Sequence, residues 1–249
     1  MGIAAASSDE SRQAPGQATS VTRGERHVML LFDRTISRAR ARRAYDTLGA
    51  GLDRAARFEA RAGAHALAIL DLKPGQRALQ IGVGTGKAHL AIARAVAPGG
   101  QAFGLDLSRV MLRLTHRHSA APLCEGDAVA LPFATHSFDR LYCAYLLDLL
   151  PAADLPRALV EFARVLRPTG RLALVSLTEG VALPSRLFVA AWKLRFRLAP
   201  QSLGGCRPLQ LRPLVERAGF VIERRDIVTQ RGFPSEIVVA TPPTAMDSL

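Results

Sequence analysis

Apolar positions along the chain change their spacing near residue 73. Over residues 26–70 they recur at helical spacing, first around residues 28–32 and again over residues 58–69, with Gly49 and Gly51 separating two helices. Lys73-Pro74-Gly75 then stops the second helix, and short apolar runs alternate with helical stretches from there on. Such alternation is typical of a parallel sheet covered by helices.

Five βα units fit the alternating part, and two strand-like runs follow them. These runs, Phe220–Val228 and Ser235–Ala240, are joined by a Gly-Phe-Pro segment and indicate an antiparallel hairpin. The sequence therefore predicts an α/β fold, a doubly wound, Rossmann-like sheet of about seven strands with an N-terminal helical extension. We expect the other strands near Arg77–Ile81, Ala102–Leu105, Leu123–Glu125, Arg140–Ala144 and Arg171–Ser176, and helices near His89–Ala97, Arg109–Arg117 and Leu155–Leu166.

The composition changes along the chain and suggests three parts. Residues 1–22 are rich in Ala, Ser, Gln and Gly, so they lack the apolar surface that would offset the entropy of ordering them. We expect a disordered tail at 1–22, a helical cap at 23–72 and a ligand-binding domain at 73–249, with an insert at about 180–210.

The formal charge of +12 has two explanations. Of the 33 basic residues 30 are Arg and 3 are Lys, which a GC-rich coding bias explains. The other explanation is a patch that binds an acidic surface, a nucleic acid or an anionic membrane. Because no nucleic-acid motif accompanies the charge, we expect no nucleic-acid partner and keep a peripheral membrane contact as the open alternative.

The cysteines, at 124, 143 and 206, have no metal-ligand spacing, so we expect reduced thiols and no metal site. No apolar segment resembles an export signal or a membrane span. We therefore expect a cytoplasmic protein.

A glycine-rich turn follows the first predicted strand, in Leu79-Gln80-Ile81-Gly82-Val83-Gly84-Thr85-Gly86. Glycines let the backbone approach a ligand closely, and the helix that follows offers free N–H groups to an anion. Such a turn can also be a tight connection that binds nothing.

Two carboxylates follow the next two strands. Asp106 lies 20 residues after Gly86, a spacing that places an acid where it can accept both hydroxyls of a ribose. Asp127, in Gly126-Asp127-Ala128, could accept a hydrogen bond from an adenine amino group. The third glycine comes two residues after the second, whereas the dinucleotide fingerprint places it three after, which disfavours a nicotinamide cofactor.

Together these segments resemble the class I S-adenosylmethionine-dependent methyltransferases, in the branch of quinone C-methyltransferases and some phospholipid N-methyltransferases. The similarity covers about residues 45–240. It rests on the glycine loop and on Leu72-Lys73-Pro74-Gly75, Asp106-Leu107-Ser108 with Met111-Leu112, Gly126-Asp127-Ala128, Leu131-Pro132-Phe133, Ser137-Phe138-Asp139, Val165-Leu166-Arg167-Pro168 with Gly170, and Ala218-Gly219-Phe220.

The resemblance implies S-adenosylmethionine as cofactor. Gly82, Gly84 and Gly86 would line its methionine part, Asp106 would hold the ribose, and Asp127 with Ala128 would flank the adenine. Leu107 would also belong to the cofactor-binding residues. The family usually has an acid where this chain has Gln80, and that acid helps to hold the ammonium group. An amide still accepts a hydrogen bond, but charged hydrogen bonds exceed neutral ones by roughly 1 kcal/mol.

A general base is needed only if the acceptor must lose a proton. The candidates are Tyr45, His27, Tyr142 and Asp148. Each has a structural alternative, since the tyrosines could be core residues, Asp148 a surface acid and His27 part of a mobile arm.

We expect the acceptor between the N-terminal helices and the insert, with Trp192, Arg207 and Phe233 as binding residues. The insert carries an apolar stripe at helical spacing, basic residues on another face, and the aromatic residues Phe188, Trp192 and Phe196. Such a helix can cover an apolar pocket, lie on an anionic membrane or simply pack on its own domain.

The sequence thus predicts methyl transfer to an apolar acceptor, a quinone, a lipid-like molecule or a polycyclic small molecule, by direct in-line displacement. The alternatives are a catalytically inactive module that binds S-adenosylmethionine and an NAD-dependent dehydrogenase.

Overall fold

The computed structural model describes residues 37–54, 56–199, 203 and 205–243. The predicted tail at 1–22, the apolar residues around 28–32 and His27 lie outside these residues. The described chain begins with helix α1 at Arg38–Leu48, a 3-10 segment at Gly49–Arg54 and helix α2 at Ala56–Ile69. The predicted break at Gly49 and Gly51 is confirmed.

The alternating strands and helices follow in the predicted order. The strands are β1 Arg77–Ile81, β2 Gln101–Asp106, β3 Leu123–Glu125, β4 Phe138–Ala144, β5 Leu166–Leu177, β6 Val221–Gln230 and β7 Phe233–Thr241. The helices among them are α3 Lys87–Val96, α4 Arg109–His116, α5 Leu155–Val165, α6 Leu183–Leu198 and α7 Leu211–Arg217, with short 3-10 turns at Leu147–Leu149 and Ala152–Asp154. Strands β4 and β5 begin earlier than predicted because Phe138 already pairs with Leu166.

The seven strands form one sheet in the order β3-β2-β1-β4-β5-β7-β6. Strands β1 to β5 are parallel, and β7 runs antiparallel to both of its neighbours. The doubly wound α/β prediction is confirmed. Because the chain moves from β1 to β2 on one side and places β4 on the other, the carboxyl ends of β1 and β4 border a crevice, where such sheets bind ligands.

Alternating residues of the strands fill two cores, one on each face of the sheet. In β1, Leu79 and Ile81 face a cluster that includes Leu159 and Phe162 of α5. Ala78 faces the other cluster, to which α2 and α3 and the residue after α2 contribute Ala62, Ala66, Leu70, Ile92 and Val96. Helix α2 therefore covers the same face of the sheet as the helix after the glycine loop.

The connection of the C-terminal hairpin differs from the prediction. Phe233 and Pro234 belong to β7, where they pair with Gln230 and Thr229, so the Gly-Phe-Pro segment is not the turn. The turn is Arg231-Gly232, with φ of 52° and 83°. Two residues with positive φ match the twist of the flanking strands, and this geometry makes a two-residue hairpin connection favourable.

Helix α2 is fixed to this hairpin by polar contacts. His65 Nε2 lies 2.7 Å from Asp226 Oδ2, and Gln230 Nε2 donates to the Arg57 carbonyl over 2.6 Å. None of the described helices is long and apolar enough to cross a membrane.

Candidate active site

The glycine loop begins where β1 ends and leads directly into α3. Gly82, Gly84 and Gly86 have φ of 74°, 55° and 92°, in the left-handed region that favours glycine. A Cβ atom at Gly86 would lie 2.7 Å from the Cα atom of Thr115, so the loop also packs too tightly for a side chain. The spacing of the three glycines is thus required by the backbone itself.

Asp106, the last residue of β2, holds this loop in place. One carboxylate oxygen accepts the N–H of Gly84 over 3.1 Å and the other accepts the N–H of Ser108 over 2.9 Å. Burial raises the pKa of Asp106 to about 6, although hydrogen bonds from Ser108, Gly84 and Leu107 act in the opposite direction. The carboxylate is therefore fixed beside the loop, as the sequence predicts.

A cavity of about 440 Å³ lies at the carboxyl ends of β1, β2, β3 and β4. Its floor is the glycine loop and the strand ends, and α1, the Gly49–Arg54 segment and α2 form its roof. All eight residues predicted for the cofactor line it: Gln80, Gly82, Gly84, Gly86, Asp106, Leu107, Asp127 and Ala128.

Gln80 presents a polar atom without a partner to this cavity. The side chain is 3% exposed, and its amide nitrogen lies 3.5 Å from the Gly82 carbonyl. Its Oε1 atom is buried with no hydrogen-bond donor among the residues described. A buried acceptor of this kind costs free energy unless a ligand donates to it.

Helix α1 is attached to the rim of the cavity by its polar side chains. The Arg38 guanidinium lies 2.7 Å from carboxylate oxygens of both Asp127 and Asp154. Asp46 accepts a hydrogen bond from the Ser108 hydroxyl. The helix thus closes the side of the cavity near Asp127.

The two tyrosines predicted as candidate bases line the cavity, but they are protonated at neutral pH. Burial raises the pKa of Tyr45 and of Tyr142 well above the ordinary value for a tyrosine. The Tyr142 hydroxyl points toward the Gly63 carbonyl at 3.5 Å. Both tyrosines can orient a ligand by hydrogen bonding more readily than they can remove a proton from it.

Asp148 lies behind the cavity wall and is fully buried, so the alternative of a surface acid is wrong. Its Oδ2 atom accepts the N–H of Leu177 over 3.3 Å and lies 3.4 Å from the Cys206 sulfur. Burial raises its pKa to about 6. This position joins the end of β5 to the segment after α6.

The three predicted acceptor residues are not on the cavity wall. Arg207 is 2% exposed and donates to the main-chain carbonyls of Leu150 and Asp148 over 2.6 and 3.3 Å. Trp192 and Phe233 do meet, with ring centroids 5.7 Å apart. They belong to an aromatic cluster that includes Phe58, Phe188 and Tyr145, of which only Tyr145 lines the cavity.

Glu59 of α2 lines the cavity and was not predicted from the sequence. Burial and the negative charge of Asp148 raise its pKa to about 7. The signal in the sequence was its position, three residues before Ala62 and seven before Ala66, on the face of α2 that packs on the sheet. A carboxylate on the buried face of an amphipathic helix indicates a special role.

The raised pKa of Glu59 predicts a pH-dependent stability difference between the wild type and Glu59→Gln. Since the pKa is about 7 in the folded state and near 4.5 when unfolded, the folded state holds the extra proton between these values. The contribution of Glu59 to the free energy of unfolding is full below pH 4.5 and is lost as the pH rises through about 7, by roughly 3 kcal/mol. In denaturant titrations we expect the free energy of unfolding of Glu59→Gln to rise relative to that of the wild type as the pH increases over this range. Glu216→Gln, on the exposed face of α7, should show the same pH dependence of the free energy of unfolding as the wild type. The same result for Glu59→Gln would show that burial does not raise the pKa of Glu59.

Comparison with known families identifies the segment that forms this site. Residues 79–174 match the family model of the methyltransferase domain. This segment is a methyltransferase domain. It contains the glycine loop, Asp106 and Asp127, and the match agrees with the predicted methyltransferase family.

Among curated proteins, the chain is similar to demethylmenaquinone methyltransferases. It is 36% identical over 110 residues to that of Bacillus cytotoxicus, covering 42% of this chain and 46% of the relative. It is 31% identical over 138 residues to that of Lactobacillus johnsonii, covering 53% and 54%. The chain thus spans about half the length of the curated relatives it matches.

Solved structures share the fold of the methyltransferase domain. A chain from the Haloferax volcanii complex of a methyltransferase with its Trm112 activator superposes with a TM-score of 0.63 at 21% identity, covering 80% of this chain and 98% of that one. The [4+2]-cyclase SpnF superposes with a TM-score of 0.57 at 20% identity, covering 74% of this chain and 81% of the cyclase. The Rossmann-like methyltransferase fold therefore agrees with the prediction, and the cyclase shows that this fold also supports other chemistry.

Proposed function

We propose that this chain transfers a methyl group from S-adenosylmethionine to an apolar acceptor with a hydroxylated ring, such as the reduced form of a quinone. The observation that carries the proposal is the cavity at the strand ends, which combines the glycine loop, a fixed carboxylate and an unpartnered amide oxygen. Each of these features matches one part of the cofactor.

The residues on the cavity floor fit S-adenosylmethionine. The unpartnered Gln80 Oε1 atom can accept a hydrogen bond from the ammonium group, and Gly82, Gly84 and Gly86 leave room for the methionine chain. Asp106 can accept the ribose hydroxyls through lone pairs that Gly84 and Ser108 do not use. Leu107, Asp127 and Ala128 line the part of the cavity that remains for the adenine.

When bound, S-adenosylmethionine supplies a methyl group on a sulfonium that is its own leaving group. The chain therefore mainly has to orient the acceptor and exclude water, and orientation alone can lower the barrier by up to about 7–11 kcal/mol. Tyr45 of α1 offers its hydroxyl from the roof, and α1 and α2 close the cavity over the reacting groups.

An apolar acceptor agrees with the roof and walls. Leu52, Leu67, Leu146, Leu149 and Leu150 line the cavity beside the polar floor. A small polar acceptor would leave these side chains without a matching surface. The relatives act, by their names, on demethylmenaquinone, a quinone of this apolar class.

Transfer of tritium from the methyl group of S-adenosylmethionine tests the proposal. We expect label in the organic phase with reduced demethylmenaquinone in detergent micelles, and none with the oxidised quinone, whose ring is not nucleophilic. If S-adenosylhomocysteine binds but no label reaches reduced quinones, phenolic lipids or polycyclic phenols, the chain is a binding module without methyl-transfer activity. Binding of NAD in its place would support the dehydrogenase.

Helix α6 supports a contact with an anionic membrane. Its inward face carries Ser185, Val189 and Phe196, which are buried, so the aromatic side of the insert packs on the domain. Its outward face carries Leu183, Leu187, Leu194 and Leu198, which are 59–77% exposed. Arg186 and Arg197 flank this leucine face, and the helix contains no acidic residue. We propose that the leucine face inserts into the headgroup region of anionic lipids.

Sedimentation with vesicles tests this contact. We expect the wild type to bind phosphatidylglycerol vesicles. The double variant Leu187→Ser, Leu194→Ser should bind them at least about tenfold more weakly, because it lacks two leucines that the membrane would partly bury. Val160→Ser removes a comparably exposed apolar residue, 62% exposed, from α5 and should bind like the wild type. Equal binding by all three proteins, or equal binding to phosphatidylcholine, would refute the proposal.

A further inference from the structure

Glu59 differs from the other carboxylates around the cavity because nothing in the described part of the chain neutralises it. Asp106 accepts two backbone N–H groups, Asp53 pairs with Lys87 and Asp127 pairs with Arg38. Across the described residues, Glu59 has neither a hydrogen-bond donor nor a cation beside it. It is therefore the carboxylate on the wall that is available to a ligand.

The surroundings of Glu59 are tyrosine hydroxyls and an apolar wall. Glu59 interacts electrostatically with five ionisable groups. They are Tyr45 of α1, Tyr142 of β4, Tyr145 after β4, the buried Asp148, and Cys206. Burial holds the pKa of each tyrosine above its ordinary value, and Asp148 is turned toward Leu177 behind the wall. Among these groups, only the Glu59 carboxylate combines access to the cavity with a change of protonation near neutral pH.

Glu59 also lies beside the aromatic cluster that contains Phe188 and Phe233. The neighbouring residue, Phe58, packs on Phe188 and Phe233 with ring centroids 6.5 and 6.3 Å away. One turn further along α2, the Gly63 carbonyl faces Tyr142. Along α2, Glu59 thus stands between the residue that packs on the aromatic cluster and the residue that faces Tyr142.

We propose that Glu59 is the general base of the reaction, and that it accepts the hydroxyl proton of the acceptor before the methyl group is transferred. The acceptor O–H bond breaks, its electron pair stays on oxygen and the proton binds the carboxylate. The acceptor oxygen, or a ring carbon that shares its negative charge, then bonds the methyl carbon while the carbon–sulfur bond breaks with its electron pair on sulfur. A methylated ring carbon afterwards loses its hydrogen as a proton, and the acceptor oxygen takes up a proton in exchange. One proton per methyl group leaves to solvent, which restores the Glu59 carboxylate. This role rests on the proposed methyl transfer.

Ligand binding tests the position of Glu59 without turnover. We would measure the affinities of 1-naphthol and 1-methoxynaphthalene in the presence of S-adenosylhomocysteine, from pH 5.5 to pH 8.5. The wild type should prefer the naphthol about five- to tenfold more above pH 7 than below, because a carboxylate accepts the hydroxyl hydrogen bond better than a neutral acid does. Glu59→Gln should show a preference that does not change with pH.

Turnover supplies the second readout. In the wild type kcat should rise with pH to a plateau above about 7. In Glu59→Gln it should fall at least about a hundredfold at pH 7, within the usual contribution of a general base, and recover as the acceptor ionises by itself. Glu59→Asp should restore part of the rate, and Glu216→Gln should match the wild type.

The outcomes separate this inference from the proposed function. Methyl transfer by the wild type combined with an unchanged pH profile and naphthol preference in Glu59→Gln would overturn the role of Glu59 alone. If Glu59→Gln does not fold, the wild type decides, and a naphthol preference of the wild type that does not change with pH would also overturn it. Failure of the wild type to bind either naphthalene or to methylate any acceptor would refute the proposed function together with this role.

Discussion

Replacing Asp106 by alanine is expected to raise the dissociation constant for S-adenosylhomocysteine by roughly two to four orders of magnitude. The variant loses a charged acceptor for two ribose hydroxyls, at about 1.5–3 kcal/mol for each hydrogen bond. It also releases the N–H groups of Gly84 and Ser108, which the carboxylate fixes in the wild type. Isothermal titration calorimetry measures the change directly.

The matched control for this variant is Asp139→Ala. Asp139 also accepts a backbone N–H, that of Arg77 over 2.8 Å, but it lies at the start of β4, away from the cavity. We expect its affinity for S-adenosylhomocysteine to stay within about twofold of the wild type. Near-wild-type affinity in Asp106→Ala, together with a normal unfolding transition, would show that the ribose is bound elsewhere.

Replacing Gly86 by alanine is expected to destabilise the fold by roughly 2–5 kcal/mol and to abolish cofactor binding. The cost has two parts, a positive φ that alanine rarely adopts and a Cβ atom 2.7 Å from the backbone of Thr115. Because backbone atoms cannot move aside cheaply, the loop or α4 has to shift. Denaturant unfolding and calorimetry of the same sample test both effects.

Two other glycines separate the two parts of this cost. Gly75 has φ of 85° but open space around its Cβ position, so Gly75→Ala should lose only about 1–2 kcal/mol and keep its cofactor affinity. Gly51 has neither feature, and Gly51→Ala should behave like the wild type. If Gly86→Ala were no worse than Gly75→Ala, the close packing against Thr115 would not contribute.

The sheet and the cofactor side of the cavity could be predicted because their signals are local. Each strand is a short apolar run between turns, and the glycine loop, Asp106 and Asp127 follow strand ends that a parallel sheet brings together. Even so, the sequence predicts the hairpin turn at residues 232–234, whereas it lies at residues 231–232. Phe233 and Pro234 look like turn residues beside a glycine, but Arg231 takes the positive φ that the turn requires.

The acceptor side could not be predicted in the same way because it depends on how helices pack. Position 59 was visible as a charge beside an apolar stripe, yet only the placement of α2 across the cavity shows that Glu59 faces a ligand. Helix α6 is apolar on two sides, with aromatic residues on one and leucines on the other. Its periodicity is compatible with either side facing the domain, so the sequence could not show that Trp192 points inward and Leu187 outward.

The most direct test of the central claim is a calorimetric titration of the wild-type protein with S-adenosylhomocysteine, with NAD as the competing ligand. The claim is that the cavity beside the glycine loop binds the S-adenosylmethionine cofactor through Asp106 and Gln80. We expect one site per chain with micromolar affinity, unchanged by NAD, and the loss of that site in Asp106→Ala. Absence of binding at millimolar concentration, or displacement of the ligand by NAD, would contradict the claim.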